Sequence, residues 1–488
     1  MLNDTQSNYL SYLTKRKKKI SETLDSFAAD RDNWIKKTNY YHKYNQNYWQ
    51  FLIPKGKKVL EIGCGTGQLL HALDTKRGVG VDISSKMIEV ASSKYPDLEF
   101  IVGDMENLSK LDSLTGTFDF IIMPDSIGYL DDCQTTFAGL HRFCNADTRI
   151  IISYTNWLWW PILKLAEQLG LKMPTQELNK MNSDDIIGLL HLAEFDIIKK
   201  DWLQLIPISL FGISNIINRY IGTLPIIRGL CLSHFVVARS LQAIKQETLS
   251  ATVLVPCRNE KDNVENAIIR TPKFCDDIEF VFVEGHSSDG TFDECLRVQK
   301  EYPDHDIKVF QQPGSGKGDA VRKGFAEARG DVLMILDGDL TMPPEDLPKF
   351  YDALASGKGE FINGSRLIYP MENKAMRFLN YIANNIFSML FSWLLNQRFT
   401  DTLCGTKVLR KKHYQRIADG RSYFGDFDPF GDFDLIFGAT KQNLKLIEIP
   451  IRYSSRVYGE TQISRFSHGF LLIRMVIFAY RKLKTSLN

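Results

Sequence analysis

A chain of 488 residues, 44% hydrophobic and 24% charged, is too long for one ordinary domain and too balanced for disorder, so two or three folded domains are expected. A formal net charge of +2 argues against nucleic-acid binding through bulk charge and leaves only local basic clusters. The 8 cysteines form no CxxC pair, which argues against a zinc site or a disulfide framework and for a reducing cytoplasm. The opening MLNDTQSNYL lacks the charged-then-apolar order of a signal peptide.

Residues 1–50 read as a polar helical segment, with Lys15 to Lys19 (KRKKK) a solvated face or a patch attracted to anionic lipid. Lys58 to Gly67, KVLEIGCGTG, is a strand entering a glycine-rich turn. Gly63, Gly65 and Gly67 allow close backbone approach to a ligand, and the helix that follows offers free N–H groups. A second strand ends in Asp82, placed to hydrogen-bond two ribose hydroxyls; a third ends at Asp104 and a fourth near Pro124 and Asp125. Strands alternating with helices, each delivering a polar residue at its C-terminal end, form a doubly wound pattern with a ligand crevice.

These segments resemble a class I S-adenosylmethionine-dependent methyltransferase over about residues 55–155, within a domain expected to span 51–240. The resemblance implies that Glu61, Gly63, Gly65 and Gly67 hold the methionine end of the cofactor, Asp82 and Ile83 the ribose, and Asp104 and Met105 the adenine. Trp157 to Pro161, WLWWP, and the apolar helix after it are read as an acceptor lid, a domain interface or a membrane foot. Ile208 to Leu232 is apolar but interrupted by Asn218, Arg219 and Arg228, too broken for a membrane span. No base for a methyl acceptor stands out; His141 and Asp131 are the candidates.

Residues 241–250 form a polar linker, and a second strand–helix series fills 251–488. ATVLVPCRNE is a strand ending in Pro256, Asn259 and Glu260, and IEFVFVEGHSSDGT is a strand ending in Glu284. Glycines flank Lys317 at a helix start, although the GxxxxGK[ST] spacing of a P-loop is missing. Val332 to Leu336 then runs into Asp337, Gly338 and Asp339. Two carboxylates one residue apart at a strand end are costly to bury unpaired, but suit a hard divalent cation held against a phosphate.

In this order the segments resemble an inverting family 2 glycosyltransferase of the GT-A fold, nearest the dolichol- or polyprenyl-phosphate mannosyltransferases. The fold expected is therefore α/β, two Rossmann-like domains in tandem with C-terminal amphipathic helices. The resemblance implies that Pro256, Asn259, Glu260, Glu284, Lys317, Gly338, Arg366 and Arg456 bind a nucleotide-sugar, and that Asp337 and Asp339 bind Mg²⁺ or Mn²⁺. Glu284 stands where the family usually has Asp, and Arg456 with Gly459 resembles a late loop closing on the donor diphosphate. Asp401 is the candidate catalytic base for a hydroxyl acceptor; a lipid phosphate, with a second pKa of about 6, would attack unaided.

Two helices, near 374–398 and 464–484, are expected to lie in a membrane interface. The first carries Asn380, Asn384, Ser388, Ser392 and Asn396 as a polar stripe, and the second carries Arg474 and Arg481 on an apolar background. The chain reads as a bifunctional enzyme, peripheral on the cytoplasmic face of the membrane. It would move a methyl group from S-adenosylmethionine and a sugar from a nucleotide-sugar to a polyprenyl-phosphate or glycan acceptor. The alternative is a glycosyltransferase whose first half only binds or docks.

Overall fold

Runs of apolar and β-branched residues, buried on both faces, build two separate sheets. They are seen in a computed structural model that describes residues 13–111, 113–176, 178–369, 378–424, 431–454, 458 and 465–484. The chain divides into two units, one holding the residues up to Ile244 and the other running from Lys245 to Leu483. Both are mixed α/β.

The first sheet comprises β1 (Lys58–Ile62), β2 (Arg77–Asp82), β3 (Glu99–Val102), β4 (Phe120–Pro124), β5 (Arg149–Thr155), β6 (Phe195–Leu203) and β7 (Ser233–Ser240). Its order is β3-β2-β1-β4-β5-β7-β6, parallel except that β7 runs against both its neighbours. Strand order reverses between β1 and β4, so their C-terminal ends open the crevice where such sheets bind ligands.

The second sheet comprises β8 (Ala251–Cys257), β9 (Ile278–Glu284), β10 (Asp306–Gln311), β11 (Val332–Ile335), β12 (Phe361–Ser365), β13 (Lys407–Arg410) and β14 (Leu446–Pro450). Its order is β10-β9-β8-β11-β13-β12-β14, with β13 antiparallel to both neighbours and the reversal between β8 and β11. Each sheet therefore has one crevice, and the polar strand ends gather there.

The helices needed below are α1 (Lys15–Phe27), α2 (Arg31–Lys37), α3 (Asn39–Leu52), α4 (Trp160–Gln168), α5 (Lys317–Glu327), α6 (Phe378–Leu395), α7 (Asp432–Lys441) and α8 (Arg465–Leu483). The first three belong to the first unit rather than standing apart as a separate segment. Tyr48 and Trp49 of α3 seat edge-on against Phe235 of β7, with ring centroids 4.8 and 5.2 Å away. The basic run at the start of α1 is not simply a solvated face. Arg16 donates to the carbonyls of Gly128, Tyr129 and Leu130 and pairs with Asp131 at 2.7 Å. Lys17 is buried and pairs with Asp104 at 2.6 Å and Glu106 at 2.8 Å. Lys15, Lys18 and Lys19 are the members not buried this way.

In the second unit the polar stripe of α6 also faces inward. Asn384 and Ser388 are buried, Asn384 Nδ2 lies 3.4 Å from Asp401 Oδ1, and Ser392 Oγ accepts from the Phe399 amide. Asn380 carries no described side chain. The outward face is instead apolar: Ile382, Ile386 and Met389 are exposed, as are Ile473 and Ile477 of α8, which stacks Tyr480 on Trp393 of α6 at 5.3 Å. Among the described residues no helix is long and apolar enough to cross a membrane.

The Lys17 pair is the firmest tie between α1 and the sheet. Lys17→Met strands the buried Asp104 and the part-buried Glu106, and breaking a buried pair from one side costs about 3 kcal/mol or more. Urea unfolding monitored on the first unit should show that loss; a change within a few tenths of a kcal/mol would mean the pair is solvated in solution.

Candidate functional sites

The crevice of the first unit begins at the glycine turn after β1. Gly63, Gly65 and Gly67 have φ of +80°, +52° and +75°, the left-handed region that side chains resist. A Cβ on Gly63 would lie 2.6 Å from Ser126 Cβ and one on Gly67 2.6 Å from Phe100 Cζ, whereas Gly65 faces open space. Asp82, at the end of β2, accepts from the Gly65 amide at 2.8 Å and the Ser84 amide at 2.9 Å. The acid thus fixes the turn's shape, and burial pushes its own pKa up despite those two donors.

A cavity of about 1360 Å³ opens here, lined by Gly63, Gly65, Asp82, Ile83, Asp104 and Met105 of the expected cofactor residues. It exceeds the 300–1,000 Å³ or so of an ordinary small-molecule site, leaving room for a cofactor and an acceptor together. Glu61 and Gly67 are not on its wall. Glu61 is buried beside Asp82, with Oε2 lacking a hydrogen-bond partner, and burial followed by the Asp82 charge drives its carboxyl well above the usual range. Asp104 is on the wall but already engaged: both its oxygens accept from Lys17, and Oδ2 from Asn107.

The cavity wall also carries Asp125, which the sequence placed at the end of the fourth strand, together with groups from α2 and α3 that it did not single out. Asp125, in a left-handed conformation at φ +50°, accepts from Tyr41 Oη at 2.9 Å and from Ser153 Oγ at 3.2 Å. Burial raises its carboxyl pKa. Arg31 and His42 also line the cavity, and burial together with Arg31 lowers His42 to about 4, so its ring is neutral near pH 7. All three side chains from α2 and α3 sit in a stretch, RDNWIKKTNYYHKY, whose density of aromatic and basic residues was the available signal. The two bases suggested by sequence are elsewhere. Asp131 is paired with Arg16 and Thr14, while His141 is stacked on Phe195 at 4.1 Å and bonded to Ser240 Oγ and the Ala193 carbonyl. Neither lines the cavity.

In the second unit Pro256, Asn259, Glu260 and Glu284 shape the loops at the ends of β8 and β9. Asn259, at φ +55°, accepts from the Ser288 amide at 2.9 Å, and Glu260 accepts from Asn263 at 2.7 Å. Glu284 is fully buried and accepts from the Ser287 amide and, at 3.2 Å, from Gln311. Gly338 lies where a Cβ would meet the Pro256 carbonyl at 2.9 Å, so the turn after β11 closes on the end of β8.

That closure gathers four charges. Lys317, at the start of α5, lies 2.6 Å from Asp337 and 4.0 Å from Asp432; Lys407 lies 3.2 Å from Asp432. Burial alone would lower the Lys317 pKa, but Asp337 and Asp432 outweigh it and hold the ammonium up. Asp337 is in turn held below the usual carboxylate range, Lys317 overcoming the effect of burial. A Cβ on Gly405 would collide with both the Asp337 carboxylate and the Lys317 ammonium, so a side chain here would displace the pair. Asp339 accepts from the Thr341 amide at 3.1 Å and hydroxyl at 2.8 Å. Lys407 and Asp432 were not anticipated. Asp432 reaches the site because Gly431, at φ +73°, lets α7 start against Gly318, where a Cβ would come within 2.6 Å.

Asp401, expected as a free base, is instead fully buried in an ion pair. Arg366 Nε donates to Oδ2 at 2.7 Å, Nη2 to Oδ1 at 2.8 Å and the Arg366 amide to Oδ2 at 3.0 Å; the Leu403 amide adds a further bond at 3.1 Å. Burial would raise its pKa, but Arg366 prevails and keeps it ionised. A carboxylate so committed holds Arg366 in place better than it takes a proton. Glu448 accepts from the Thr400 and Asp401 amides and fixes the same loop. Arg456 and Gly459 lie outside the described residues.

Residues 53–207 match a family model described as "Methyltransferase domain", and residues 252–417 match "Glycosyl transferase family 2". The chain is 27% identical over 221 residues to the dolichol-phosphate mannosyltransferase of Pyrococcus furiosus, covering 44% of this chain and 59% of that protein. It is 24% identical over 217 residues to the undecaprenyl-phosphate 4-deoxy-4-formamido-L-arabinose transferase of an Enterobacter species, covering 44% and 62%. The chain thus spans about three fifths of the length of these curated relatives. Among solved structures, an S-adenosylmethionine-dependent methyltransferase of Thermotoga maritima aligns at 17% identity over 45% of this chain and 99% of its own, with a TM-score of 0.34. One chain therefore carries a methyltransferase domain followed by a family 2 glycosyltransferase domain.

Proposed function

We propose that the chain is a bifunctional enzyme, transferring a methyl group from S-adenosylmethionine in its first unit and a sugar from a nucleotide-sugar to a polyprenyl phosphate in its second. The observation that carries the reading is the charge cluster at the β8–β11 crevice: Asp337, Lys317, Asp432 and Lys407 meet where a doubly wound sheet binds its ligand.

Asp337 and Asp339 offer only hard oxygens, a donor set that fits Mg²⁺ or Mn²⁺ better than zinc. Bound there, such an ion would neutralise charge on a leaving diphosphate. Lys317 supplies cationic charge at the same place, while the buried Arg366–Asp401 pair offers a fixed guanidinium edge to an acceptor phosphate. A phosphate monoester brings its own negative charge, so no side-chain base is required.

In the first unit the open side of Gly65, with Asp82 on the same cavity wall, fits a cofactor resting on the glycine turn. S-adenosylmethionine would supply an electrophilic methyl group there; Asp125, held by Tyr41 and Ser153, is the chain's own group for orienting an acceptor or taking its proton. One observation favours the alternative of a docking module, namely that Lys17 already occupies Asp104. Calorimetry with S-adenosylmethionine separates the two, since only the catalytic reading requires binding. The exposed isoleucines of α6 and α8, with Arg474 and Arg481 also exposed, support peripheral attachment to the cytoplasmic face of a membrane.

Screening UDP-, GDP- and dTDP-sugars with polyprenyl phosphate should reveal turnover that chelation of divalent metal abolishes. Its rate should rise with pH through about 6, as the acceptor loses its second proton. Asp401→Asn should lower kcat without moving that limb; a shifted limb would make Asp401 the base after all.

Glu61→Gln should stabilise the first unit at neutral pH. A carboxyl whose folded pKa is raised destabilises the fold when ionised, a cost that fades as pH falls through that pKa and is absent below the unfolded one. The gain in Tm should therefore shrink on acidification. A lower Tm at neutral pH would show that Glu61 is paired in solution.

A further inference from the structure

The mouth of the first unit's cavity is rimmed by two segments that expose far more apolar surface than folding requires. One is 157–171, containing α4; the other is the 204–232 connection between β6 and β7. They are fastened together: Asn156 Nδ2 donates to the Gly229 and Cys231 carbonyls at 2.9 and 3.1 Å, and Trp159 Nε1 to the Leu230 carbonyl at 2.8 Å. Phe211 is 104% exposed and Ile226 93% exposed, and Trp157, Leu169, Ile216 and Leu230 of the same two segments are exposed as well. A monomer that keeps its surface soluble rarely gathers so many large apolar side chains in one place.

The patch is continuous with the cavity. Ile162, Leu171 and Ile208 line it and are exposed at the same time, so whatever covers the rim also controls entry. Its chemistry selects a covering. Residues 204–232 contain Arg219 and Arg228 and no Asp or Glu. In α4 the sole acid, Glu167, is neutralised by Lys164 at 2.8 Å and Lys172 at 2.7 Å. Lys164 and Lys180 stand over the Trp160 ring at 5.2 and 4.4 Å, and Arg228 over Trp202 at 4.1 Å. Cations seated on indoles beside bare Ile, Leu and Phe are the arrangement of a headgroup boundary, apolar side in and charge at the phosphates. Two copies meeting through this face would oppose like charges.

We propose that this rim docks on an anionic lipid bilayer and that the methyl acceptor is a membrane-borne amphiphile whose polar head enters the cavity. The docking stands by itself; the acceptor class rests on reading the cavity as the S-adenosylmethionine site. Because Ile162, Leu171 and Ile208 are part of both wall and rim, a headgroup passes from bilayer to Asp125 without its apolar chain crossing water. A freely soluble acceptor would gain nothing from such a rim.

The full chain, labelled with an environment-sensitive fluorophore at Phe211→Cys, is mixed with vesicles of phosphatidylcholine and phosphatidylglycerol. The emission should shift to the blue and be quenched by brominated lipid, while a label at Glu89→Cys on the same unit should not respond. A label at Met389→Cys reports the other unit separately. The double variant Phe211→Asp, Ile226→Asp, whose side chains pack against little and so leave folding intact, should weaken the response of a label at Trp157→Cys by about tenfold or more. No shift at 211 while 389 responds would overturn the docking. So would a vesicle-free dimer that the double variant dissociates, which would make the rim an interface between copies. With methyl-labelled S-adenosylmethionine and a membrane extract, label should enter the organic phase; label confined to water-soluble material, or none in lipid although the cofactor binds, overturns the acceptor class. Failure to bind S-adenosylmethionine in calorimetry would remove the cofactor reading and leave the docking result standing.

Discussion

An ionised carboxylate at the end of a buried strand must find a cation, a set of N–H donors or a ligand, because leaving it bare costs more than most folds can spare. That constraint organises both units. Asp82 holds the glycine turn through its amides, and Asp104 draws Lys17 and the whole of α1 onto the sheet. Asp337 is met by Lys317, Asp432 by Lys407 and Asp401 by Arg366. Each partner arrives from a different element, so the pairs also determine how helices and loops close over the crevices. Glu61 keeps an orphaned oxygen behind the first unit's glycine turn, and Asp125 on the cavity wall is held by the Tyr41 and Ser153 hydroxyls.

The same pairing explains why the polar stripe of α6 points inward. Asn384 and Ser392 serve the buried loop around Asp401, and satisfying that loop outweighs solvating two short polar side chains. The isoleucines are then left outside. The helix is amphipathic as its sequence predicts, but with its polar stripe on the protein and its isoleucines outward.

Local chemistry made much of this legible in the chain alone. The glycine turn, the acids at strand ends and the Asp-Gly-Asp turn are short-range features, and each lies at a crevice formed by strand-order reversal. What escaped was carried by long sequence separation. Nothing near Lys17 announces Asp104, 87 residues away, and nothing near Tyr41 announces Asp125, 84 residues away. Asp432 follows an aromatic- and glycine-rich stretch that reads as a loop, and only the approach of Gly431 to Gly318 brings it to Lys317. Asp401 was found by resemblance, but its ion pair was invisible without its partner's position. His141 and Asp131 failed for the opposite reason, since polar side chains on a helix end find structural partners more often than substrates.

The central claim of the proposed function is that the acidic turn after β11 is a metal-assisted diphosphate site, distinct from the glycine turn after β1, which takes the methyl donor. Electron paramagnetic resonance of Mn²⁺ with a nucleoside diphosphate tests it most directly on the native chain, Asp339→Asn and Asp82→Asn. The account predicts an immobilised Mn²⁺ signal in the native protein and in Asp82→Asn, and its loss in Asp339→Asn. An undiminished signal in Asp339→Asn would contradict it.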